Sequence, residues 1–250
     1  MTRLLDNLSD SVLRWSKADL HIHTRLSDGG PSPVQVVEHV LRHTDLAVIA
    51  ITDHNRMDGG LRVRSLAADY GLEVIVGEEV GTADGHLLAL FIEEAIAPGR
   101  PMEETVAEVH AQGGLAIVAH PYDIISSSLM GRGGRRWGEE ALANLPVDGV
   151  EVLNGSLVRH MANVRATYTA RRLGLTMVGG SDAHHLAVIG QAHTLFPGRT
   201  AEDLRQAIRA GTTQAGGQSW RIRQYLSWIS GCFIPRTVRR ARGAVRAYGQ

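Results

Sequence analysis

Short apolar runs recur along this chain, each bounded by Gly, Asp, Asn or His, and most alternate with stretches of helical spacing. Eight runs read as strands: Ala18–Thr24, Leu46–Thr52, Leu72–Gly77, His86–Phe91, Leu115–Ala119, Gly149–Leu153, Leu175–Val178 and Ala192–Phe196. Between them, Val37, Val40 and Leu41, then Val63, Leu66, Ala67 and Tyr70, then Met102, Val106 and Val109, fall on single helical faces. Met161, Val164 and Tyr168 predict a further helix with these residues facing inward, and Leu204, Ala207 and Ile208 a last one. Ser32-Pro33-Val34-Gln35 carries a helix start: a serine cap, proline at the first helical position and glutamine at the third. Leu5, Leu8, Val12 and Trp15 predict a helix at residues 2–15 that packs on the body. Strands alternating with helices predict an α/β protein with a parallel sheet. The alternation alone does not separate a barrel from an open sheet.

A chain of 250 residues, 44% of them hydrophobic, has enough apolar material for one substantial core. Its net charge of zero gives no global field to attract nucleic acid. The single cysteine, Cys232, excludes an internal disulfide framework and suits a reducing, cytoplasmic setting. Asp6, Asp10 and Arg14 interrupt the first residues, so no signal peptide is expected. No run approaches the roughly 18 apolar residues of a membrane-spanning helix.

The chemistry gathers where the apolar runs end. His21 and His23 sit two apart in a strand, a spacing that aims both rings at one face. Asp28, His54, Glu79, His86, His120, Asp182 and His184 also lie next to strand runs, nearly all after them. That puts them at the carboxyl ends of strands, where α/β proteins build their sites. Six histidines and three carboxylates brought together there are poorly explained as core packing, because buried charges need partners. Nitrogen and oxygen donors without thiolate suit Mn, Zn or Fe ions.

The motifs HIHTRLSDG, ITDH, GEE, GHLLAL, AHP and GSDAH, in this order over about residues 18–217, resemble the PHP (polymerase and histidinol phosphatase) superfamily. The resemblance implies an irregular (β/α)7-type barrel with the metal site at the C-terminal ends of its strands. It implies two or three divalent metal ions. His21, His23, Glu79 and Asp182 would hold the first, Glu79, His86 and His120 the second, and Asp28, His54 and His184 the third. It implies a metal-dependent phosphoesterase that cleaves a small phosphate ester or nucleotide through in-line attack on phosphorus by a metal-activated hydroxide. Asp28, His184 or a water on the third ion would protonate the leaving group, and Arg25, lying between His23 and Asp28 in the sequence, would reach a phosphate oxygen. The chain lacks a large insertion between His120 and Asp182, unlike longer nucleotide phosphatases of the superfamily. Hydrolysis of a carboxylic ester or amide on the same site is the alternative.

Other residues are less distinctive. Asp19 and Asp53 neighbour ligand positions and, in strands, point away from the metals toward hydrogen-bonding roles. His185, His193, Glu151 and Asn154 lie near enough in sequence to touch substrate. The Gly- and Arg-rich loop from Met130 to Trp137 could clasp one. His39, His43, His110 and His160 fall in predicted helices and read as ordinary.

Residues 218–250 differ from the body, which we take as residues 1–217. They hold seven arginines and no acid, leaving 19 basic against 26 acidic residues in the rest. Ile222, Leu226, Ile229 and Phe233 follow helical spacing, and Pro235 interrupts it. A basic amphipathic tail suits docking on the body, with nucleic acid or a membrane surface as alternative partners. Oligomeric state is left open.

Overall fold

The computed structural model describes residues 14–133, 138–156, 160–221, 223, 224 and 226. In chain order its elements are β1 (Trp15–Ile22), α1 (Pro33–His43), β2 (Val48–Ile51), α2 (Asp58–Ala67), β3 (Glu73–Gly81) and β4 (His86–Leu90). There follow α3 (Met102–Ala111), β5 (Leu115–Val118), the short β6 (Ser127–Ser128) and β7 (Arg132–Gly133), α4 (Glu139–Asn144) and β8 (Gly149–Asn154). The last are α5 (His160–Leu173), β9 (Met177–Gly180), β10 (Ala192–Pro197), α6 (Ala201–Arg209) and β11 (Gln214–Gly217).

One sheet runs in the order β11-β10-β1-β2-β3-β4-β5-β8-β9. Its far strand returns to β1: an isolated bridge joins Ile22 to Ala183. His23 N donates to Ala183 O at 3.0 Å and Ala183 N to His21 O at 3.1 Å. The strands from β1 to β9 therefore curl into a nearly closed barrel, with β10 and β11 appended to β1. The expected barrel stands, with a correction to its sheet. β1-β2-β3 and β5-β8-β9 are parallel, but β4 is antiparallel to both β3 and β5, and β10 is antiparallel to β1. The physical reason lies in the connections. Only four residues link β3 to β4, too few for the crossover that a parallel partner requires.

Burial follows the two-residue alternation of strands. Val48, Ala50, Leu88, Leu90 and Ile117 pack together inside the barrel, with Leu204 and Ile208 of α6. Their neighbours Ile49 and Ile51 pack outward on Val36, Val37 and Val40 of α1 and Val63 of α2. A third cluster joins Val106 and Val109 of α3 to Val118 and Val150.

Helix α1 starts as its sequence predicts. The Ser32 side chain accepts from Gln35 N, the Gln35 side chain accepts from Ser32 N, and Pro33 occupies the first turn. The stretch from Val63 to Tyr70 is α2 followed by one 3-10 turn, and Gly71 beyond it has a left-handed φ of 67°. Two helix readings need correction. Trp15 belongs to β1, and the rest of the helix expected at residues 2–15 falls almost wholly outside the described residues. On α5, Met161, Val164 and Tyr168 are exposed, and Ala166, Thr169 and Ala170 are buried instead. The inward face of α5 thus uses small and polar side chains. Asn163 bonds the backbone of Asn154 through both its amide atoms, and Thr169 bonds Tyr122.

Replacing Ser32 by alanine removes the α1 cap while leaving the core intact. We expect a loss of about 1 kcal/mol, read as a lower urea midpoint at unchanged slope.

Candidate metal centre

Two irregularities in the sheet aim the candidate ligands. In β1 the register against β2 shifts between Asp19 and Ile22. Ala18 and Leu20 face the barrel interior, so strict alternation would also turn Ile22 inward. The bulge reverses this. Ile22 joins the outer cluster under α1, and His21 and His23 turn into the barrel mouth. A matching shift in β8 lies between Glu151 and Leu153. Beyond β1, Gly29 lies so close to the His23 carbonyl that a Cβ would stand 2.3 Å from its oxygen. Only glycine lets the loop fold back and bring Asp28 to the site. Asp53 pins the same loop, accepting from Thr24 N and Oγ1 at 2.7 Å each and from Ser27 Oγ at 2.5 Å. Arg56 holds Leu26 O at 2.7 Å.

The other donors arrive from neighbouring strand ends. His54 follows β2 and is bridged to Glu79 of β3. His86 opens β4, so its position corrects the expectation for strand ends. Because β4 runs antiparallel, its amino end lies at the same mouth as the carboxyl ends of the parallel strands. His120 follows β5, and Asp182 and His184 follow β9. His120 and Asp182 take left-handed φ angles of 27° and 51°, a region that residues other than glycine occupy uncommonly and at some cost.

Glu79 sits at the centre. Its Oε2 lies 3.2 Å from Nε2 of His21, Nε2 of His23 and Nδ1 of His54. Its Oε1 lies 2.7 Å from Nδ1 of His86 and 2.9 Å from Nε2 of His120. Asp182 Oδ1 lies 3.6, 3.3 and 3.5 Å from His21, His23 and His184. Asp28 faces His23, His54 and His184 at 3.5, 3.7 and 3.0 Å. All nine candidate ligands therefore meet. Three overlapping groups have donor atoms within 4.8 Å of one another: His23, Asp28, His54 and His184; His21, His23 and Asp182; and His54, Glu79 and His86. His23 and His54 each join two of these groups, where the sequence reading gave each one.

The donor set fits divalent cations. Five imidazoles around one buried carboxylate are more than its lone pairs can accept in good geometry. Nε2 of His21 and Nδ1 of His86 are buried and aimed at carboxylate oxygens without making a hydrogen bond. A shared cation satisfies such nitrogens. The charges follow the same pattern. Burial would raise the Glu79 carboxyl, but the surrounding histidines hold it well below its usual range. Burial opposes protonation of His23, yet Asp182, Glu79 and Asp28 push it up to about 10.

A second layer fixes these rings. Glu151, fully buried, takes His21 Nδ1 at 3.0 Å on one oxygen. Its other oxygen accepts from His120 N and Asn154 Nδ2, both at 3.0 Å. Asn154 Nδ2 also reaches Asp182 Oδ2 at 3.2 Å. Glu151 and Asn154, expected beside the substrate, instead hold the candidate ligands. An acid between Val150 and Val152 in a buried strand was the available signal. Asp19 bonds Ser181 N and Gly190 N at 2.9 and 2.8 Å, and burial pushes its carboxyl up to about 6.

Other candidates stand apart. Glu78 accepts from Ile96 N at 2.5 Å, on the strand face opposite Glu79. His193 bonds Gly190 O and His110 bonds Asp148. His39 and His43 face each other on α1, and His185 packs on Trp220. Arg25 is exposed in the β1–α1 loop. Residues 134–137 of the Arg-rich loop, and the His160 side chain, lie outside the described residues. So does most of the tail, although Trp220 is buried and Leu226, from the stripe expected to dock, is exposed. Among the described residues, no helix is long and apolar enough to cross a membrane.

The PHP-domain family model matches residues 19–143, and a PHP-associated model matches residues 160–213. An uncharacterized protein of Methanocaldococcus jannaschii is 38% identical over 148 residues, covering 55% of this chain and 81% of that protein. A 3′,5′-nucleoside bisphosphate phosphatase of Chromobacterium violaceum is 31% identical over 83 residues, covering 33% of this chain and 29% of the phosphatase. Among solved structures, a two-domain protein of Bacteroides vulgatus, described as containing a predicted PHP-like metal-dependent phosphoesterase, superposes with a TM-score of 0.68. It is 23% identical, and the match covers 82% of this chain and 65% of that one.

Two outcomes follow from the site. Glu151→Gln weakens the grip on His21, and we expect Mn²⁺ affinity to fall by roughly 10- to 100-fold in calorimetric titration. Imidazoles bind metal only when neutral, so ions must displace the protons that the carboxylates hold on His21 and His23. Mn²⁺ affinity should therefore rise with pH between 6 and 8, with proton release visible as a buffer-dependent heat.

Proposed function

The chain belongs to the PHP-domain family, and from that premise we propose that it is a metal-dependent phosphoesterase acting on a small phosphate ester or nucleotide. The observation that carries the reading is the Glu79 carboxylate within 3.2 Å of five imidazole nitrogens at a barrel mouth. We assign His21, His23, Asp28, His54, Glu79, His86, His120, Asp182 and His184 as ligands of two or three Mn, Zn or Fe ions. Such ions, when bound, supply a water of lowered pKa and offset charge on phosphate oxygens.

The chain's own groups do the rest. Glu79, reached by histidines from four other strand ends, would hold the ions through both of its oxygens. Asp28 is the most accessible of the carboxylates, with 45% of its side chain exposed, and it bonds His184 Nε2 at 3.0 Å. Burial would raise the Asp28 carboxyl, but His184, His23 and His54 hold it well below its usual range. This pair forms the open edge of the site. It would either complete a further ion site with His54 or deliver a proton from His184 Nε2 to the leaving oxygen. Arg25, exposed beside His23 and Asp28, is placed in sequence to steer a phosphate, whose oxygens match its fork. The similarity to a nucleoside bisphosphate phosphatase supports phosphorus over a carbonyl carbon as the electrophile. A lone cysteine suits a cytoplasmic setting.

The test uses the full chain, stripped by chelator and restored with Mn²⁺ or Zn²⁺, on an aryl phosphate and an aryl carboxylate ester. Phosphate release should need the ion and fall by on the order of 100-fold or more in an Asp182→Ala/His184→Ala variant. Ester cleavage without phosphate release would overturn the phosphoesterase assignment in favour of carboxyl hydrolysis.

A further inference from the structure

Trp220 lies in sequence beyond the last strand, among residues that no motif covers, yet it is 3% exposed. Its backbone N donates to Gly155 O at 2.6 Å, and its indole Nε1–H donates to Ser181 O at 3.0 Å. Its ring meets the His185 ring edge-on, with centroids 5.3 Å apart. Gln224, four residues later, donates to Ala187 O at 3.1 Å. The segment after β11 therefore clasps the loop that carries Asp182 and His184.

The bonded atom is informative. Ser181 C=O belongs to the peptide plane whose nitrogen is that of Asp182. Rotation of this plane changes ψ of Ser181 and φ of Asp182 together. Asp182 holds φ at 51°, a conformation that its side chain disfavours. Relaxing that φ swings the Asp182 carboxylate away from His21 and His23. The carbonyl is held from two sides: Trp220 donates to it, and Gly155 packs against it so closely that a Cβ there would lie 2.5 Å from the oxygen. On the other side of the same residue, Ser181 N is held by Asp19 at 2.9 Å.

We infer that Trp220 is a positioning residue for the metal centre: its indole N–H locks the Ser181–Asp182 peptide in the orientation that presents the Asp182 carboxylate to His21 and His23. This rests on the reading of Asp182 as a metal ligand. The aromatic ring fills space, as any buried tryptophan does, but the N–H carries the function.

The test titrates Mn²⁺ into the chelator-stripped full chain and follows free Mn²⁺ by electron paramagnetic resonance. The variants are Trp220→Phe, which keeps an aromatic ring without the donor, and Asp182→Ala. Thermal melting of the stripped proteins runs alongside. Expected is a weakening on the order of tenfold in Trp220→Phe at the class of site that Asp182→Ala also weakens. Weakening in Asp182→Ala with unchanged affinity in Trp220→Phe overturns the inference, even if the stripped variant melts earlier, because a merely structural role predicts that pattern. Unchanged affinity in Asp182→Ala overturns the ligand assignment and the inference with it. If Trp220→Phe does not fold, β-(3-benzothienyl)alanine introduced at position 220 keeps the bicyclic ring without the N–H and answers the same question.

Discussion

A carboxylate buried among five imidazoles is the constraint on which the rest of this molecule depends. Isolated in a low-dielectric interior, Glu79 would be held neutral by the cost of burying its charge. Here the opposite holds, because His21, His23, His54, His86 and His120 converge on its two oxygens. Each ring comes from a different strand end or strand position. The arrangement therefore exists only if β1 to β5 are held in register to within a fraction of a residue. A slip by one residue in any of them would turn a histidine from the mouth toward the helices. The apolar layers inside and outside the barrel supply that register. Inward Val48 and Ala50, and outward Ile49 and Ile51, leave β2 no alternative setting.

The barrel also departs from regularity where the site needs it. Bulges in β1 and β8 reverse the facing of residues near their carboxyl ends. Without the first, Leu20 and Ile22 would share the interior and His21 would lie under the helices. Gly29 and the pinned loop before it bring Asp28 back over His23. His120 and Asp182 take backbone angles that favour glycine. Irregular backbone of this kind costs free energy, and it persists where surrounding bonds over-determine it. Glu151 holds the backbone N–H of His120, and Asp19 and Trp220 hold the two sides of Ser181.

Much of this was legible in the amino-acid sequence. All nine candidate ligands were identified by residue type and by their places at the ends of apolar runs, and the capped start of α1 was read to the residue. What escaped had physical causes. Hydrophobic periodicity does not carry strand direction, so β4 was given the wrong sense, although its four-residue link to β3 could have disclosed it. On α5 the apolar stripe is the exposed one, because the buried face is occupied by Asn163 and Thr169, whose hydrogen bonds replace apolar contact. Alternation correctly paired His21 with His23 but could not reveal the bulge that turns both inward. Glu151 was noticed for its position and given the wrong neighbour, since only the closed barrel shows that β8 faces β1 across the mouth.

Trp220 marks where local reasoning stops. Nothing near it in sequence carries chemistry, and its basic, amphipathic surroundings predict docking on the body without saying which residue docks or where. Its effect comes from closure of the barrel. β9 must return to β1 for Ala183 to bridge Ile22, and the Ser181 carbonyl then lies between Gly155 and Trp220. A buried carbonyl there needs a donor. Gly155 makes the room, and the chain leaving β11 crosses the loop at the height where an indole N–H can reach it. The same closure that assembles the ligands thus creates an unpaired acceptor one residue before Asp182, and the segment after the barrel supplies its partner. Fold and site are in this respect one problem: the strained ligand loop is stable because the barrel closes, and its last constraint comes from outside the barrel's own strands.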